Sequence, residues 1–119
     1  MPKNILLIDD EAINLMALKS TLRRDYEVYT AMNAQEALAI LQTTTMFAIV
    51  SDQKMPGMRG TELFALCREK KFPGLRIIVS GYDDDATIQQ ALRAGLIHAV
   101  LSKPLRITKL KALLDQDRS

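Results

Sequence analysis

The chain has 119 residues, 48% of them hydrophobic and 25% charged, which is ordinary for one globular domain with its own core. Its net charge of +2 is too small a surplus to indicate a nucleic-acid-binding or membrane-surface protein. The single Cys67 excludes an internal disulfide and a multi-cysteine zinc site. The first apolar run, residues 5–8, is too short for a signal peptide, and no run is long enough for a membrane helix. We therefore expect a cytoplasmic protein that binds neither membranes nor nucleic acid.

Short apolar segments alternate along the chain with longer segments of helical periodicity. Residues 4–9, of which the central four are aliphatic, predict a buried strand. Leucines at i, i+3 and i+7 then give one apolar face to a helix over residues 12–24. Residues 26–30 alternate apolar with polar side chains, which predicts a second strand at the edge of a sheet.

The middle of the chain continues the alternation. Asn33, followed three residues later by Glu36, is close to a capping box and predicts a helix that ends near residues 43–45. Residues 47–51 predict a third strand, which ends at Asp52. A loop rich in proline and glycine follows, and then a helix that continues to about residue 71 with Cys67 on its apolar face.

Two further pairs of elements complete the pattern. Residues 75–79 predict a fourth strand, and the acids at positions 83–85 can cap the helix that follows. Gly95 is the expected C′ residue of that helix. Residues 97–101 predict the fifth strand, and residues 107–114 give a last amphipathic helix.

Five strands that alternate with five helices predict an α/β protein, a parallel sheet with helices on both faces. Ligands of such sheets bind beyond the carboxyl ends of the strands. The polar residues at those ends are therefore the candidate site. They are Asp9, Asp10, Asp52, Ser80 and Lys103.

Three carboxylates on neighbouring strand ends would repel one another unless cations lay among them. Magnesium prefers carboxylate and carbonyl oxygens, and with Lys103 it would neutralise the three acids. Ser80 adds a hydroxyl, and Gly81 beside it lets a ligand approach the backbone. A carboxylate, a metal, an ammonium and a hydroxyl together favour acceptance of a phosphoryl group by an aspartate. For the Asp9–Asp10 pair alone, a helix cap is an equally good interpretation.

Four segments, residues 5–11, 50–60, 78–81 and 101–104, closely resemble the receiver domain of two-component response regulators, in the family's order and spacing. The resemblance implies a flavodoxin-like (βα)5 fold, a doubly wound five-stranded parallel sheet of strand order 2-1-3-4-5. We expect one receiver domain over residues 1–119 and no output domain within them, and both a stand-alone receiver and an excised piece of a longer chain stay open. Residues 51–58 and 95–98 also resemble receivers found ahead of cyclic-di-GMP phosphodiesterase or transcription-activator domains.

The resemblance also implies a role for each candidate residue. Asp52 would accept the phosphoryl group, Ser80 would hydrogen-bond a phosphoryl oxygen, and Lys103 would pair with it. The implied magnesium ligands are Asp10 directly, Asp9 through water, Asp52, and the backbone carbonyl of Lys54.

The partners that the resemblance implies are a histidine kinase or phosphotransfer protein as donor, and a downstream protein or output domain whose identity stays open. The output surface would be the fourth helix, fifth strand and fifth helix, and dimerisation on phosphorylation is left open. The domain would catalyse only its own phosphorylation and dephosphorylation.

Two residues depart from the common receiver pattern. Val100 stands where many receivers carry an aromatic ring that moves on activation, so a ring-swing switch is not expected. Lys54, two residues after the acceptor, could alter phosphoryl hydrolysis or could simply point to solvent. The alternative function is a receiver-fold interaction domain that no longer uses phosphate. A true phosphohydrolase is disfavoured because Gln53 and Lys54 offer no acid–base carboxylate.

Overall fold

The computed structural model describes residues 2–81 and 86–116, and its strands and helices alternate strictly. The strands are β1 (Lys3–Ile8), β2 (Tyr26–Ala31), β3 (Ala48–Asp52), β4 (Leu75–Ser80) and β5 (Ala99–Ser102). The helices are α1 (Ala12–Leu22), α2 (Ala34–Thr43), α3 (Gly60–Glu69), α4 (Ala86–Arg93) and α5 (Ile107–Gln116). None of the helices described has the length and apolar character needed to cross a membrane.

All five strands belong to one sheet of order β2-β1-β3-β4-β5, and every pair is parallel. This order confirms the predicted flavodoxin-like fold, and it confirms that β2 is an edge strand. The register aligns the carboxyl ends of the central strands, with Ile8 opposite Ser51, and Asp52 opposite Val79. Ser80 at the end of β4 pairs in turn with Ser102. The sheet therefore brings the candidate strand-end residues to one edge.

The sheet separates two hydrophobic cores, because successive side chains of a strand point to opposite faces. Leu6 and Ile8 of β1 pack with α2, α3 and α4, whereas Ile5 and Leu7 pack with α1 and α5. All four of these side chains are at most 2% exposed. Burial on both faces explains why the last four residues of β1, 5–8, are all apolar, as predicted for a central parallel strand.

Two predicted helix ends are present in the structure. The Asn33 side chain accepts a hydrogen bond from the Glu36 N–H, and the Glu36 carboxylate accepts one from the Met32 N–H. Gly95 has φ +72° and follows α4 as its C′ residue. The Leu96 N–H then bonds the Ala91 carbonyl, which completes a Schellman motif. The predicted cap of α4 at positions 83–85 lies outside the described residues.

β5 begins two residues later than the sequence pattern indicates, and this difference has a backbone cause. The Ile97 N–H bonds back to the Ala91 carbonyl of α4, so residue 97 still belongs to the helix end although its side chain is buried. The apolar run from residue 97 thus combines a core residue of the α4–β5 connection with the strand itself. α1 likewise ends at Leu22 rather than residue 24, and a tight turn connects it to β2.

Candidate functional site

Three carboxylates converge at the carboxyl edge of the sheet. Asp9 and Asp10 follow β1, Asp52 closes the neighbouring β3, and one oxygen of each lies within 4.8 Å of the other two. Asp52 is 6% exposed and Asp9 is 9% exposed, whereas Asp10 is exposed. The predicted convergence of these acids is therefore present, and the cluster opens to solvent on the side of Asp10.

Asp9 is oriented by hydrogen bonds to both of its carboxylate oxygens. Oδ1 accepts the Glu11 N–H at 2.9 Å, and Oδ2 accepts the side-chain amide of Asn14 at 3.2 Å. The contact with Glu11 lies in the turn before α1, whose N-cap is Glu11 itself, so neither acid of the pair occupies the cap position and the helix-cap interpretation is wrong. Asp9 both shapes this turn and lines the acidic cluster.

The ammonium group of Lys103 forms an ion pair with one acid of this cluster, Asp52. Its Nζ lies 2.8 Å from Oδ2 of Asp52, and the side chain is 40% exposed against 7% for Asp52. The position follows from the sheet, because Lys103 comes directly after β5 and its N–H bonds the Ser80 carbonyl of β4 at 3.0 Å. A nearly buried carboxylate thus has a charged, hydrogen-bonded partner, as burial of a charge requires.

The acidic surroundings keep Lys103 protonated. Burial lowers the pKa of the Lys103 ammonium, but the hydrogen bond and charge of Asp52 and the charges of Asp9 and Glu11 raise it more. The net pKa is above the ordinary 10.5, so the side chain is a cation at neutral pH. Because Lys103 stays charged, it can also neutralise the negative oxygens of a ligand that binds at the site.

Ser80 and Gly81 lie at the carboxyl end of β4, directly after Val79, which is paired with Asp52. Ser80 is the last residue of β4 and is 4% exposed. A Cβ added at Gly81 would meet no atom within 4 Å, so open space borders the backbone next to Ser80. Lys54 is exposed in the loop after β3, and the role of its carbonyl as a metal ligand stays a prediction.

Gly60 allows α3 to approach the end of β3 closely. A Cβ at this position would lie 2.6 Å from the Asp52 carbonyl oxygen and 2.7 Å from Cδ1 of Ile78. Only glycine fits without a shift of the backbone of Asp52. The sequence showed Gly60 as a loop glycine, and only the structure connects it to the position of Asp52.

A cavity of about 580 Å³ lies beside Asp52, between α1 and the β5–α5 connection. Asp52, Asp9 and Lys103 line its polar part, and Leu18 and Leu105 belong to its apolar wall. Asp52 therefore borders a space large enough for a ligand or for a side chain of another protein.

The donor set of the acidic cluster fits magnesium. Magnesium binds oxygen ligands at about 2.0–2.1 Å, keeps several waters, and is usually held by one or two carboxylates. The three carboxylates lie within 4.8 Å of one another, and one of them is exposed. This spacing suits a magnesium ion that some of the carboxylates bind directly and others bind through water.

Two side chains near the site were not recognised from the sequence as part of it. Asn14 orients Asp9 from the first turns of α1, one residue after the exposed Ile13. Gln53, considered from the sequence only for lacking a carboxyl group, is 3% exposed and bonds Thr61 of α3. The available signal was a polar residue directly after a buried strand, eight positions before a threonine in the first turn of a helix.

The chain has a flavodoxin-like sheet, with acids after β1 and at the end of β3 and a lysine after β5. These features define a class of α/β proteins with an acidic site at the strand ends. Within it, this chain belongs to the response regulator receiver domain family, whose model matches residues 5–115. The resemblance stated from the sequence is thereby confirmed.

Individual relatives agree with this assignment. The chain is 35% identical over 100 residues to the hydrogenase transcriptional regulatory protein HoxA of Cupriavidus necator, a match that covers 84% of this chain and 21% of HoxA. The chain thus spans about a fifth of the length of that curated relative.

Solved structures match over nearly the whole chain. A CheY-like response regulator receiver domain protein from Methanospirillum hungatei superposes with a TM-score of 0.85 at 31% identity, covering 98% of this chain and 96% of that one. A structure described as adenylate cyclase from Rhodopirellula baltica gives a TM-score of 0.88 at 30% identity, covering 98% and 87%.

Proposed function

We propose that this receiver domain is a phosphorylation switch in which Asp52 accepts a phosphoryl group with Mg²⁺ bound. The donor would be the phosphohistidine of a histidine kinase or of a phosphotransfer protein. The observation that carries the proposal is the buried Asp52 carboxylate, paired at 2.8 Å with Lys103 inside an acidic cluster. Three acids and one lysine leave a net negative site, which suits a bound divalent cation.

The magnesium ligands would be Asp9, Asp10, Asp52 and the carbonyl of Lys54. When bound, the ion supplies positive charge that offsets the negative oxygens of the transferring group. Asp9 would contribute through water, as the resemblance implies, while Glu11 and Asn14 each donate a hydrogen bond to one of its oxygens and hold the carboxylate in place.

The transfer itself requires a nucleophile and neutralisation of charge. A carboxylate oxygen of Asp52 forms a bond to phosphorus while the phosphorus–nitrogen bond of the donor breaks and its electron pair returns to the imidazole. Lys103 holds its proton and pairs with a phosphoryl oxygen, and the Ser80 hydroxyl donates a hydrogen bond to another. These groups make the receiver a catalyst of its own phosphorylation rather than of substrate turnover.

Phosphorylation would change the charge balance around Lys103. A phosphoryl group carries about −1.5 to −2 charges on ordinary side chains, so the Lys103 ammonium would move its contact from Oδ2 of Asp52 to the new oxygens. Lys103 directly follows β5, and its N–H bonds the Ser80 carbonyl of β4. A shift in this region would alter the surface formed by α4, β5 and α5, and with it the affinity for a downstream partner.

The output of this switch would lie outside residues 1–119, in a partner or in a further domain. HoxA is a transcriptional regulatory protein, so control of transcription is one output that we propose for this chain, reached through such a partner and not by direct contact with nucleic acid. The proposed compartment is the cytoplasm, where a kinase could reach Asp52.

A receiver-fold interaction domain that does not use phosphate is the second candidate. Val100 favours it, because a half-buried valine of β5 stands where many receivers have a switching aromatic ring. The complete set of acids, serine and lysine favours the phosphorylated switch, which we therefore place first.

The test is incubation with a small-molecule phosphodonor, once with Mg²⁺ and once with a chelator, followed by intact mass measurement. We expect the addition of one phosphoryl group with Mg²⁺ only, and none in Asp52→Asn, which is similar in shape but lacks the nucleophilic carboxylate. A wild-type protein that gains no phosphoryl group from any donor would favour the interaction domain.

A further inference from the structure

Gln53 lies between the proposed phosphoryl acceptor and the residue whose carbonyl is the proposed metal ligand, and it is 3% exposed. We propose that Gln53 is a positioning residue, which organises the magnesium site by tying the β3–α3 loop (residues 53–59) to the first turn of α3. The inference rests on the proposed function and extends it to a residue that does not itself touch the metal or the phosphoryl group.

The side-chain amide of Gln53 is paired at both of its polar atoms. Oε1 accepts the Thr61 N–H at 2.9 Å, and Nε2 donates to the Thr61 hydroxyl at 3.1 Å. Both contacts are buried, where hydrogen bonds are stronger and an unpaired group is costly. The amide is therefore held in one orientation by one residue of α3.

The backbone of Gln53 is fixed as well. Its N–H bonds the Val79 carbonyl of β4 at 3.1 Å, and its carbonyl accepts the Gly60 N–H at 3.0 Å. Gly60 and Thr61 are the first two residues of α3, and their N–H groups have no partner inside the helix. One residue thus satisfies two successive free N–H groups of the helix and connects β3, β4 and α3.

The backbone conformation of Gln53 determines how its two neighbours in the chain, Asp52 and Lys54, are oriented. A rotation of its backbone would shift Asp52 and Lys54, which are joined to Gln53 by peptide bonds, and would thereby reorient the Lys54 carbonyl one peptide unit further along the chain. Magnesium tolerates little departure from octahedral geometry, so a loop held before the ion arrives favours binding. Residues beyond the ligands that fix ligand orientation usually change metal affinity when they are substituted.

The experiment titrates the full chain with Mg²⁺ alone and measures affinity by calorimetry or by amide NMR shifts. Gln53→Met keeps the length of the side chain and removes both hydrogen bonds. We expect about tenfold weaker Mg²⁺ binding, at the lower end of the effect of such supporting residues. Amide hydrogen exchange at Thr61 should also become faster in the metal-free protein.

A second pair of variants keeps the test decisive if Gln53→Met fails to fold. Thr61→Val removes only the hydroxyl that Gln53 contacts, and Thr61→Ser restores a hydroxyl. We expect weaker Mg²⁺ binding in the valine variant and affinity near that of the wild type in the serine variant. Ile97→Val, in the core of the α4–β5 connection, should lower stability without changing Mg²⁺ affinity.

The outcomes distinguish failure of the proposed role of Gln53 from failure of the phosphorylation switch itself. Wild-type affinity in folded Gln53→Met, or equal affinity in both Thr61 variants, would overturn the role of Gln53 and leave the phosphorylation switch intact. A wild-type chain that binds no Mg²⁺ and gains no phosphoryl group would overturn both.

Discussion

A carboxylate as buried as that of Asp52 needs a cation close by, and Lys103 meets this need at 2.8 Å. The same contact stabilises the buried carboxylate and, in the proposed switch, would respond to the charge of a phosphoryl group. Removal of one partner from such a pair leaves the other partly desolvated and unpaired. The residues around Asp52 therefore have consequences for stability as well as for chemistry.

Gly60 gives a stability prediction at this scale. Gly60→Ala places a methyl group 2.6 Å from the Asp52 carbonyl oxygen, a backbone atom that cannot rotate away. We expect a loss of about 1–3 kcal/mol in the free energy of unfolding, as for overpacking elsewhere. Chemical denaturation measures it.

The matched control is Gly81→Ala, whose Cβ would meet no atom within 4 Å. Its stability should change by less than about 1 kcal/mol. Equal losses in the two alanine variants would show that the close approach of α3 to β3 is not what Gly60 provides.

Cys67 gives a pH prediction. Burial raises the pKa of the thiol from 9.0 to about 11, although the charge of Arg76 lowers it somewhat. The folded state therefore holds the proton more tightly than the unfolded state. The resulting stability is complete below pH 9 and is lost as the pH rises toward 11.

Denaturation between pH 8 and 11 tests this on wild type and Cys67→Ala. We expect wild-type stability to fall by about 2–3 kcal/mol more than that of the variant over this range, at 1.36 kcal/mol per pKa unit. Parallel curves for the two proteins would contradict the assignment of the change to Cys67.

A further prediction is that the Lys54 side chain affects how long an aspartyl phosphate at Asp52 survives. The side chain is exposed, two residues after Asp52. If its ammonium overhangs the phosphoryl group, Lys54→Ala should change the half-life of the aspartyl phosphate by severalfold relative to wild type. Lys54→Arg, which keeps the charge, should stay closer to wild type, and an unchanged half-life in the alanine variant would leave Lys54 as a solvent-exposed side chain.

At the scale of elements, α1 combines a buried face with an apolar exposed one. Leu15 and Leu22 pack into the core, whereas Ile13 is 79% exposed and Met16 is 71% exposed. Ile13 and Met16 are three residues apart and share one face of α1, and neither lines the cavity next to Asp52, which Asn14 does. An exposed apolar pair near the start of α1, at the carboxyl edge of the sheet, suits contact with a protein donor.

The double variant Ile13→Ser with Met16→Ser tests this surface. Phosphorylation by a protein donor should slow by about fivefold or more, as expected when interface anchors are removed. Phosphorylation by a small-molecule donor should keep its wild-type rate, because the site itself is untouched. Equal rates with the protein donor in both proteins would remove α1 from the donor interface.

Elements were predictable from the sequence where local pattern and tertiary environment agree. Residues 5–8 are apolar because β1 is buried there on both faces, and Asn33 with Glu36 marks the start of α2. The start of β5 was not predictable, because residue 97 is buried but still belongs to the end of α4. An apolar run does not distinguish these two environments.

The site was predictable to the extent that it lies at strand ends. Asp9, Asp10 and Asp52 each end or follow an apolar run, and the parallel topology then brings them together. The Gln53–Thr61 contact could not be derived, because it depends on how closely α3 approaches β3. That distance is set by Gly60 and by the packing of the whole sheet.

At the scale of the whole molecule, the sheet connects a chemical site at one edge with the surface of α4, β5 and α5. β4 is paired with β3, which carries Asp52, and with β5, which leads to Lys103. Val100 lies on β5 and packs against the core shared by α3 and α4. Communication would pass through these paired strands and the Lys103 contact rather than through a rotating aromatic ring.

The most direct test of the proposed phosphorylation switch compares amide NMR spectra with and without Mg²⁺ and beryllofluoride, an analogue of the phosphoryl group. We expect shifts at Asp52, Ser80 and Lys103 and a second set in α4, β5 and α5, with both sets absent in Asp52→Asn. Shifts confined to the acidic cluster would contradict a switch that reaches this surface. A wild-type spectrum that does not respond to the analogue would contradict the role of Asp52 itself.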